Sequence, residues 1–474
     1  MTTIHAQAER KRQDRSVCRA EKRLCRARML RVRGLIHPTS AVCATTDTAR
    51  GEKRLPSEQN QAILKSSGRP LGECRVKCKM GRAITILIEL HGGRVSHSCT
   101  QFYGIIQETI MKAAILNNLD GTFQIEEIEI DVPRGREVLV EVKASGLCHS
   151  DLHFAEQDFG VPLPAVLGHE LAGVVLAVGP EVREFSVGDH VVGSLIQFCG
   201  HCRACIGGRT YQCTRPEETL RDDPNHMHRL TRDGEGVAQG FGTGAFAERA
   251  LVHENQLALV PKELPFAQAS LLGCGTITGA GAAINTASVR PGDTVAVIGI
   301  GGVGLNVISG AKLAGASRII AIDMQPKKAD LARKFGATDF IDASAGDTVN
   351  AVQALTDGGV DHAFEVVGIK ATSQQAIQMV RKGGGAYLIG VHSPTSTIDV
   401  NVTIDLLTQQ VDLRGVYMGS SNIKHDIPMY AHLYLQGKIN LDDLISREIN
   451  LSDINEAYKE LKGGSIARSV ITSF

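Results

Sequence analysis

The chain has 474 residues, 43% hydrophobic and 22% charged, ordinary values for two or three globular domains with sizeable cores. Its formal net charge is zero, no apolar run reaches the roughly 18 residues of a membrane span, and the N-terminus lacks the short apolar core of a secretory signal. A transmembrane helix is thereby not expected, and the chain as a whole is not strongly basic.

The zero balance hides two unlike parts. Residues 1–110 carry 21 Lys and Arg against 9 Asp and Glu, and the remainder carries 30 against 42. The first part, from Arg10-Lys11-Arg12 through Arg33, reads as a basic extension that is disordered or foreign to the folded body. Its two aromatics, Phe102 and Tyr103, offer little to stack on bases, which argues against nucleic acid as a partner. Glu9, Asp14 and Glu21 argue against a transit peptide. Met111 opens the first strand-like pattern and is the natural start of the folded body.

Strands are expected at Met111–Asn117, Phe123–Ile130 and Val138–Ala144, with a turn at 133–136. Further strands follow at Leu171–Val178, Val187–Val192 and Phe246–Val252, so the region up to Cys274 reads as a compact β-rich domain. Within it Cys199, Cys202, Cys205 and Cys213 stand in a C-x2-C-x2-C-x7-C pattern on one loop. Four thiolates so close in sequence complete a tetrahedral zinc with no open corner, a structural site. Cys148 and His169 offer further metal ligands, with the carboxylates of Asp151 and Glu170 nearby. Either of the first two alone would more often be an ordinary buried residue.

The second half begins with a buried strand at Asp293–Ile298, then Gly299, Gly301, Gly302, Val303 and Gly304, then apolar helical spacing ended by Gly315. A strand at Arg318–Ile322 stops at Asp323, 19 residues beyond Gly304. A glycine pattern with a strand before it, a helix after it and an acid at that distance is a dinucleotide fingerprint. The free N–H groups of the helix start favour a pyrophosphate. Asp323 would accept from the adenosine ribose and repel a 2′-phosphate, which favours NAD over NADP. Lys328 joins the cofactor-binding candidates. Alternating helices and strands continue to a strand at Val411–Val416, giving a doubly wound parallel sheet. Helices near Ile427–Leu435 and Ile454–Leu461 occupy the last segment.

Taken together, these residues resemble the zinc-containing medium-chain alcohol dehydrogenases from Met111 to Phe474. The resemblance implies an α/β protein in which a GroES-like β-rich catalytic domain (111–275) precedes a Rossmann NAD-binding domain (276–418), with 419–474 returning to the first. It assigns Cys148, His169 and Cys274 to a catalytic zinc with one open corner, the ligand set known from alcohol dehydrogenase. Zinc would number two per chain, and every cysteine after residue 110 would be used. A body with none spare for disulfides points to a reducing compartment, the cytoplasm.

Ser150 and His153 match a proton relay running from the alcohol through the nicotinamide ribose. Asp151 would orient His169 through its second ring nitrogen, and Glu170 would stand behind the metal or replace a ligand. His149 and Arg468 match positions that touch the pyrophosphate. The implied activity is reversible NAD-dependent oxidation of primary or secondary alcohols to aldehydes or ketones, by a homodimer or homotetramer. The alternative within the family is a polyol or S-hydroxymethylglutathione-type dehydrogenase. Phe159, Leu195 and Phe198 suggest an apolar pocket, whereas the polar 215–240 loop finds no place in the sequence reading.

Overall fold

The computed structural model of the chain describes residues 71–77, 83–89, 109–463 and 468–474. The described residues fall into two units, one before residue 96 and one after it. In the first, β1 (Leu71–Lys77) and β2 (Ala83–Glu89) pair antiparallel, with Leu71 opposite Glu89. The sequence reading placed no element there. Ile84, Ile86 and Ile88 do alternate with a period of two, a strand signal lost among the surrounding charges. The basic arm before residue 71 lies outside the described residues.

The second unit opens with β3 (Ile110–Leu116), β4 (Phe123–Ile130) and β5 (Glu137–Gly146). It continues with β6 (Ala165–Val166), β7 (Glu170–Val178), β8 (His190–Gly193), β9 (Leu230–Arg232) and β10 (Glu235–Gln239), then β11 (Arg249–His253) and β12 (Leu257–Leu259). Five of these close a small barrel in the order β10-β6-β3-β4-β9. The expected strand at Val187 starts later, at His190, because Gly188 has φ +88° and Ser186 N–H donates to Asp189, fixing a turn. The strand expected from Phe246 starts at Arg249. Phe246 and Ala247 are drawn instead to β3, where Ala114 N–H donates to Phe246 O and Ala113 bridges Ala247.

The dinucleotide half contains β13 (Thr294–Ile298), β14 (Arg318–Asp323), β15 (Asp339–Asp342), β16 (Val360–Glu365), β17 (Val380–Leu388) and β18 (Asp412–Gly415). All are parallel, in the order β15-β14-β13-β16-β17-β18. Alternating residues explain the layers. Val295, Val297, Ile319 and Ala321 join one core cluster, while Ala296, Ile298, Ile320 and Ile322 join another. A sheet buried on both faces needs such uninterrupted apolar strands. Because the order reverses between β13 and β16, a crevice opens beyond their carboxyl ends, where this architecture takes its ligand.

After helix Ile423–Leu435 come β19 (Ile445–Asn450) and β20 (Arg468–Ser473), neither placed from sequence. They pair in parallel, and β20 continues antiparallel onto β5, Val470 opposite Gly146. The β-rich sheet therefore runs β12-β8-β7-β5-β20-β19, with β11 also on β5.

At the end of β11, the His253 ring accepts from Asn255 N–H at 3.1 Å and caps a short 3-10 turn. Burial, with the Arg136 and Arg229 cations, pushes its pKa down to about 4. The unfolded chain therefore binds this proton first as pH falls. Stability from this group is full above about pH 6.5 and declines towards pH 4, by up to about 3 kcal/mol. His253→Asn keeps an acceptor for the turn and removes the titration. Thermal midpoints of this variant between pH 7 and pH 4 are expected to fall less than those of the wild type; parallel curves would refute the assignment.

Candidate active site

Antiparallel pairing of β5 with β7 sets Gly146 opposite Glu170 and so brings residues 146–148 beside His169 and Glu170. A Cβ at Gly146 would lie 2.0 Å from Glu170 Oε2, so glycine leaves that carboxylate its place against Arg468. Cys148 is the extended N-cap of helix His149–Glu156, where amide dipoles favour a thiolate. Cys274 arrives from a π turn, Leu272–Thr276, inside the helical run that begins at Phe266. Such widened turns often serve functional positions.

Ligand atoms of Cys148, His169, Glu170 and Cys274 all lie within 4.8 Å of one another, and all four residues are buried. His169 Nε2 is 3.2 Å from Cys274 Sγ, while Nδ1 lies 3.0 Å from Asp151 Oδ1. Asp151 Oδ1 also accepts from Gly168 N–H, so the carboxylate is fixed before it fixes the imidazole. Donation from Nδ1 leaves Nε2 as the ligand atom.

Arg468 reaches in from β20 and donates to Glu170 Oε1 at 2.9 Å, with Cys148 Sγ at 3.5 Å. Arg468 is expected from sequence on the pyrophosphate; its polar contacts here lie on Glu170 and Cys148. The hydrogen bond with Cys274, aided by Arg468 against the cost of burial, holds the Cys148 thiol well below its ordinary range. That same hydrogen bond, with burial, raises Cys274. Burial pushes Glu170 up to about 7 although Arg468 opposes it. The imidazole of His169 loses hydration, yet Asp151 outweighs this and its pKa is raised.

The second cluster is all sulfur. Sγ–Sγ separations are 3.4 Å for Cys202–Cys205 and 4.0 Å for both Cys199–Cys205 and Cys202–Cys213. A tetrahedron of Zn–S bonds near 2.3 Å has edges of about 3.8 Å, so the spacing suits zinc and is far from a disulfide of about 2 Å. Backbone N–H groups of Thr214 and Cys205 push Cys202 down to about 5, while burial pushes Cys205 up to about 12.

Ser150 Oγ lies 3.7 Å from Cys148 Sγ, and His149 and His153 occupy the same helix. An aromatic group that the sequence reading caught only in Phe159 packs alongside. Phe241 meets the His169 ring at 4.8 Å, Phe154 meets Phe241 at 4.6 Å, and Phe159 stacks on Phe154 at 4.5 Å. No spacing in the sequence links residues 154 and 241. The polar loop is anchored on β5: Arg221 and Arg229 both donate to Glu137, at 2.6 and 2.8 Å. A cavity of about 950 Å³ between Leu139, Leu176, Arg249 and Phe474 includes none of the candidate residues, so donor chemistry and not cavity size locates the site.

In the dinucleotide half, Gly301 is the N-cap of helix Gly302–Ala314 and no side chain caps it, leaving the first-turn N–H groups of Gly302, Val303 and Gly304 for an anion. A Cβ at Gly304 would stand 2.0 Å from Gly299 O, which is why the loop can turn so tightly. Asp323 accepts from Ile300 N–H and from Lys328 Nζ, each at 2.9 Å. Lys328 thus braces the acid at the tip of β14.

Residues 134–262 match the family described as the alcohol dehydrogenase GroES-like domain, and 302–435 match the zinc-binding dehydrogenase family. An NDMA-dependent alcohol dehydrogenase of Amycolatopsis methanolica is 38% identical over 365 residues, 76% of this chain and 98% of the relative. A class-3 alcohol dehydrogenase of Drosophila melanogaster is 37% identical, covering 76% and 97%. The chain belongs to the zinc-type medium-chain alcohol dehydrogenases. Benzyl alcohol dehydrogenase from Acinetobacter calcoaceticus superposes with a TM-score of 0.73 at 36% identity, over 77% of this chain and 99% of that one. As a member of this family the chain is a zinc-binding oxidoreductase acting on alcohols. Its β-rich module is the GroES-like domain and its parallel sheet the Rossmann half. No helix among the described residues is long and apolar enough to cross a membrane.

Proposed function

We propose that the protein oxidises primary or secondary alcohols reversibly with NAD, holding one catalytic zinc on Cys148, His169 and Cys274 and one structural zinc on Cys199, Cys202, Cys205 and Cys213. The observation that carries this reading is the buried cluster of two thiols and an imidazole oriented from behind by Asp151. When bound, zinc supplies a Lewis acid for the alcohol oxygen and NAD supplies the hydride acceptor. The protein's part is to place them. Asp151 fixes the ligand tautomer of His169, and Arg468 balances the charge of Cys148 and Glu170.

Ser150, next to Cys148, is suited to take the alcohol proton and His153, one helical turn on, to pass it to solvent. Gly299–Gly304 would seat the pyrophosphate, with His149 as a further contact, and Asp323 the adenosine ribose. The Phe154–Phe159–Phe241 group favours an apolar or aromatic alcohol over a polyol, because an extra hydroxyl would find no partner on those rings.

The test is a panel of benzylic, aliphatic and polyol substrates with NAD, read as rising nicotinamide absorbance. Aromatic and aliphatic alcohols are expected to exceed polyols in kcat/KM by at least about tenfold, a difference of about 1.4 kcal/mol. Turnover of polyols alone would overturn the substrate assignment, and turnover with NADP alone would overturn the assignment of Asp323.

A further inference from the structure

The loops following β16 and β17 are joined by a network that the proposed chemistry leaves unused. Glu365, the last residue of β16, is fully buried and lies opposite Ile298 at the switch point. Its Oε1 accepts from Val367 N–H at 2.8 Å, Gly368 N–H at 2.7 Å and Thr372 Oγ1 at 2.7 Å. Its Oε2 is buried without a protein partner. One turn into helix Lys370–Met379, the buried Ser373 hydroxyl lies 2.8 Å from His392 Nε2, in the loop after β17. The other nitrogen, Nδ1, is 3.0 Å from Gly390 O. A carbonyl only accepts, so Nδ1 carries the proton; in the neutral ring Nε2 is an acceptor, and the one hydroxyl hydrogen of Ser373 is shared between it and Ile369 O at 3.1 Å.

The two loops also touch through their backbones. A Cβ on Gly390 would lie 2.1 Å from Gly368 N, and one on Gly368 would lie 2.4 Å from Val391 O. Both glycines are therefore needed for this approach. A Cβ on Gly299, the first glycine of the phosphate loop, would meet Val367 at 2.7 Å, so the first of these loops also borders the crevice.

We infer that His392, Ser373 and Glu365 are positioning residues for the nicotinamide end of the dinucleotide. The inference rests on the NAD reading above. The Gly299–Gly304 loop and Asp323 belong to the half-sheet β13-β14-β15, which takes the adenosine end. The half-sheet β16-β17-β18 is left to border the nicotinamide end, as expected of two mononucleotide-binding halves. Glu365 fixes the first loop through three hydrogen bonds, and the Ser373–His392 bond ties the second loop to it. The ring then meets a wall already in place and ordering it costs little on binding.

The experiment is a pair of titrations of the full-length chain, with NADH followed by its own fluorescence and with ADP-ribose followed by calorimetry. His392→Ala and Ser373→Ala are each expected to weaken NADH about tenfold and to leave ADP-ribose, which lacks the nicotinamide, within about twofold. In His392→Gln an amide oxygen can again accept from Ser373, and NADH affinity is expected to return to within about threefold of wild type. Equal losses for both ligands in both alanine variants, or no loss for NADH, would overturn the inference while leaving NAD binding intact. Failure of the wild type to bind either ligand would instead remove the NAD reading, and this inference with it. Thermal midpoints of all variants identify any that do not fold.

Discussion

Replacing Cys274 by serine is expected to lower kcat/KM for alcohol by at least about 10³-fold and to reduce bound zinc from two per chain to one. A Lewis acid at the alcohol oxygen is worth several kcal/mol in the transition state, and each 1.36 kcal/mol is a factor of ten. A neutral serine cannot replace a thiolate, and the cluster would keep Cys148, His169 and Glu170 only. The remaining metal should sit on the Cys199–Cys213 loop, whose four sulfurs the substitution does not touch. Zinc analysis and steady-state kinetics on one preparation settle the point. Retained activity with one zinc would mean that the buried cluster is not the catalytic centre, and loss of both metals would mean that the two sites do not fill independently.

The second large effect concerns stability. Glu137 is 4% exposed and holds two guanidiniums, Arg221 and Arg229, themselves nearly buried. Arg221 also reaches Asp131 at 2.9 Å. Removing the shared carboxylate leaves Arg229 with no charged partner and Arg221 with Asp131 alone, and breaking a buried pair in this way commonly costs about 3–5 kcal/mol. Glu137→Ala is expected to unfold at clearly lower denaturant with kcat of the surviving fraction little changed, because the network holds the 215–240 loop and not the ligands. Unfolding at the wild-type midpoint would contradict this.

The pH dependence has a definite sign. Burial alone would raise the Glu137 pKa, but the two arginines outweigh it and hold it below 4.5. Its stabilisation is therefore complete above the unfolded carboxylate value and disappears as pH falls through the folded one.

Local signals carried much of this structure. The glycine turn between β13 and helix Gly302–Ala314 was readable because a β–turn–α unit keeps its strand, glycines, helix and acid within one short stretch. The Cys199–Cys213 cluster was readable because one loop supplies every ligand. Asp151 and His169, 18 residues apart, still fell within reach of a motif. What escaped was made by distant segments. Arg468 lies on Glu170 across 298 residues, and its register depends on β20 pairing with β5, which no pattern near residue 468 announces. Phe241 reached His169 through a loop whose residue at φ +55° is not glycine, a conformation that sequence alone does not signal. The Ile84–Ile88 alternation is a strand signal in its own right, masked by the charges that surround it.

The span from Cys148 to Arg468 also orders events during synthesis. A nascent chain presents Cys148, His169 and Cys274 long before the strand carrying Arg468 exists, since the whole dinucleotide half is translated between them. Until then Glu170 lacks its cation and the thiols lack the charge that favours their ionised form. The sulfur loop has no such wait: its ligands emerge together and can capture metal on the ribosome. The four sulfurs can therefore come together before β20 has docked, whereas the surroundings of Cys148 and Glu170 are complete only after it.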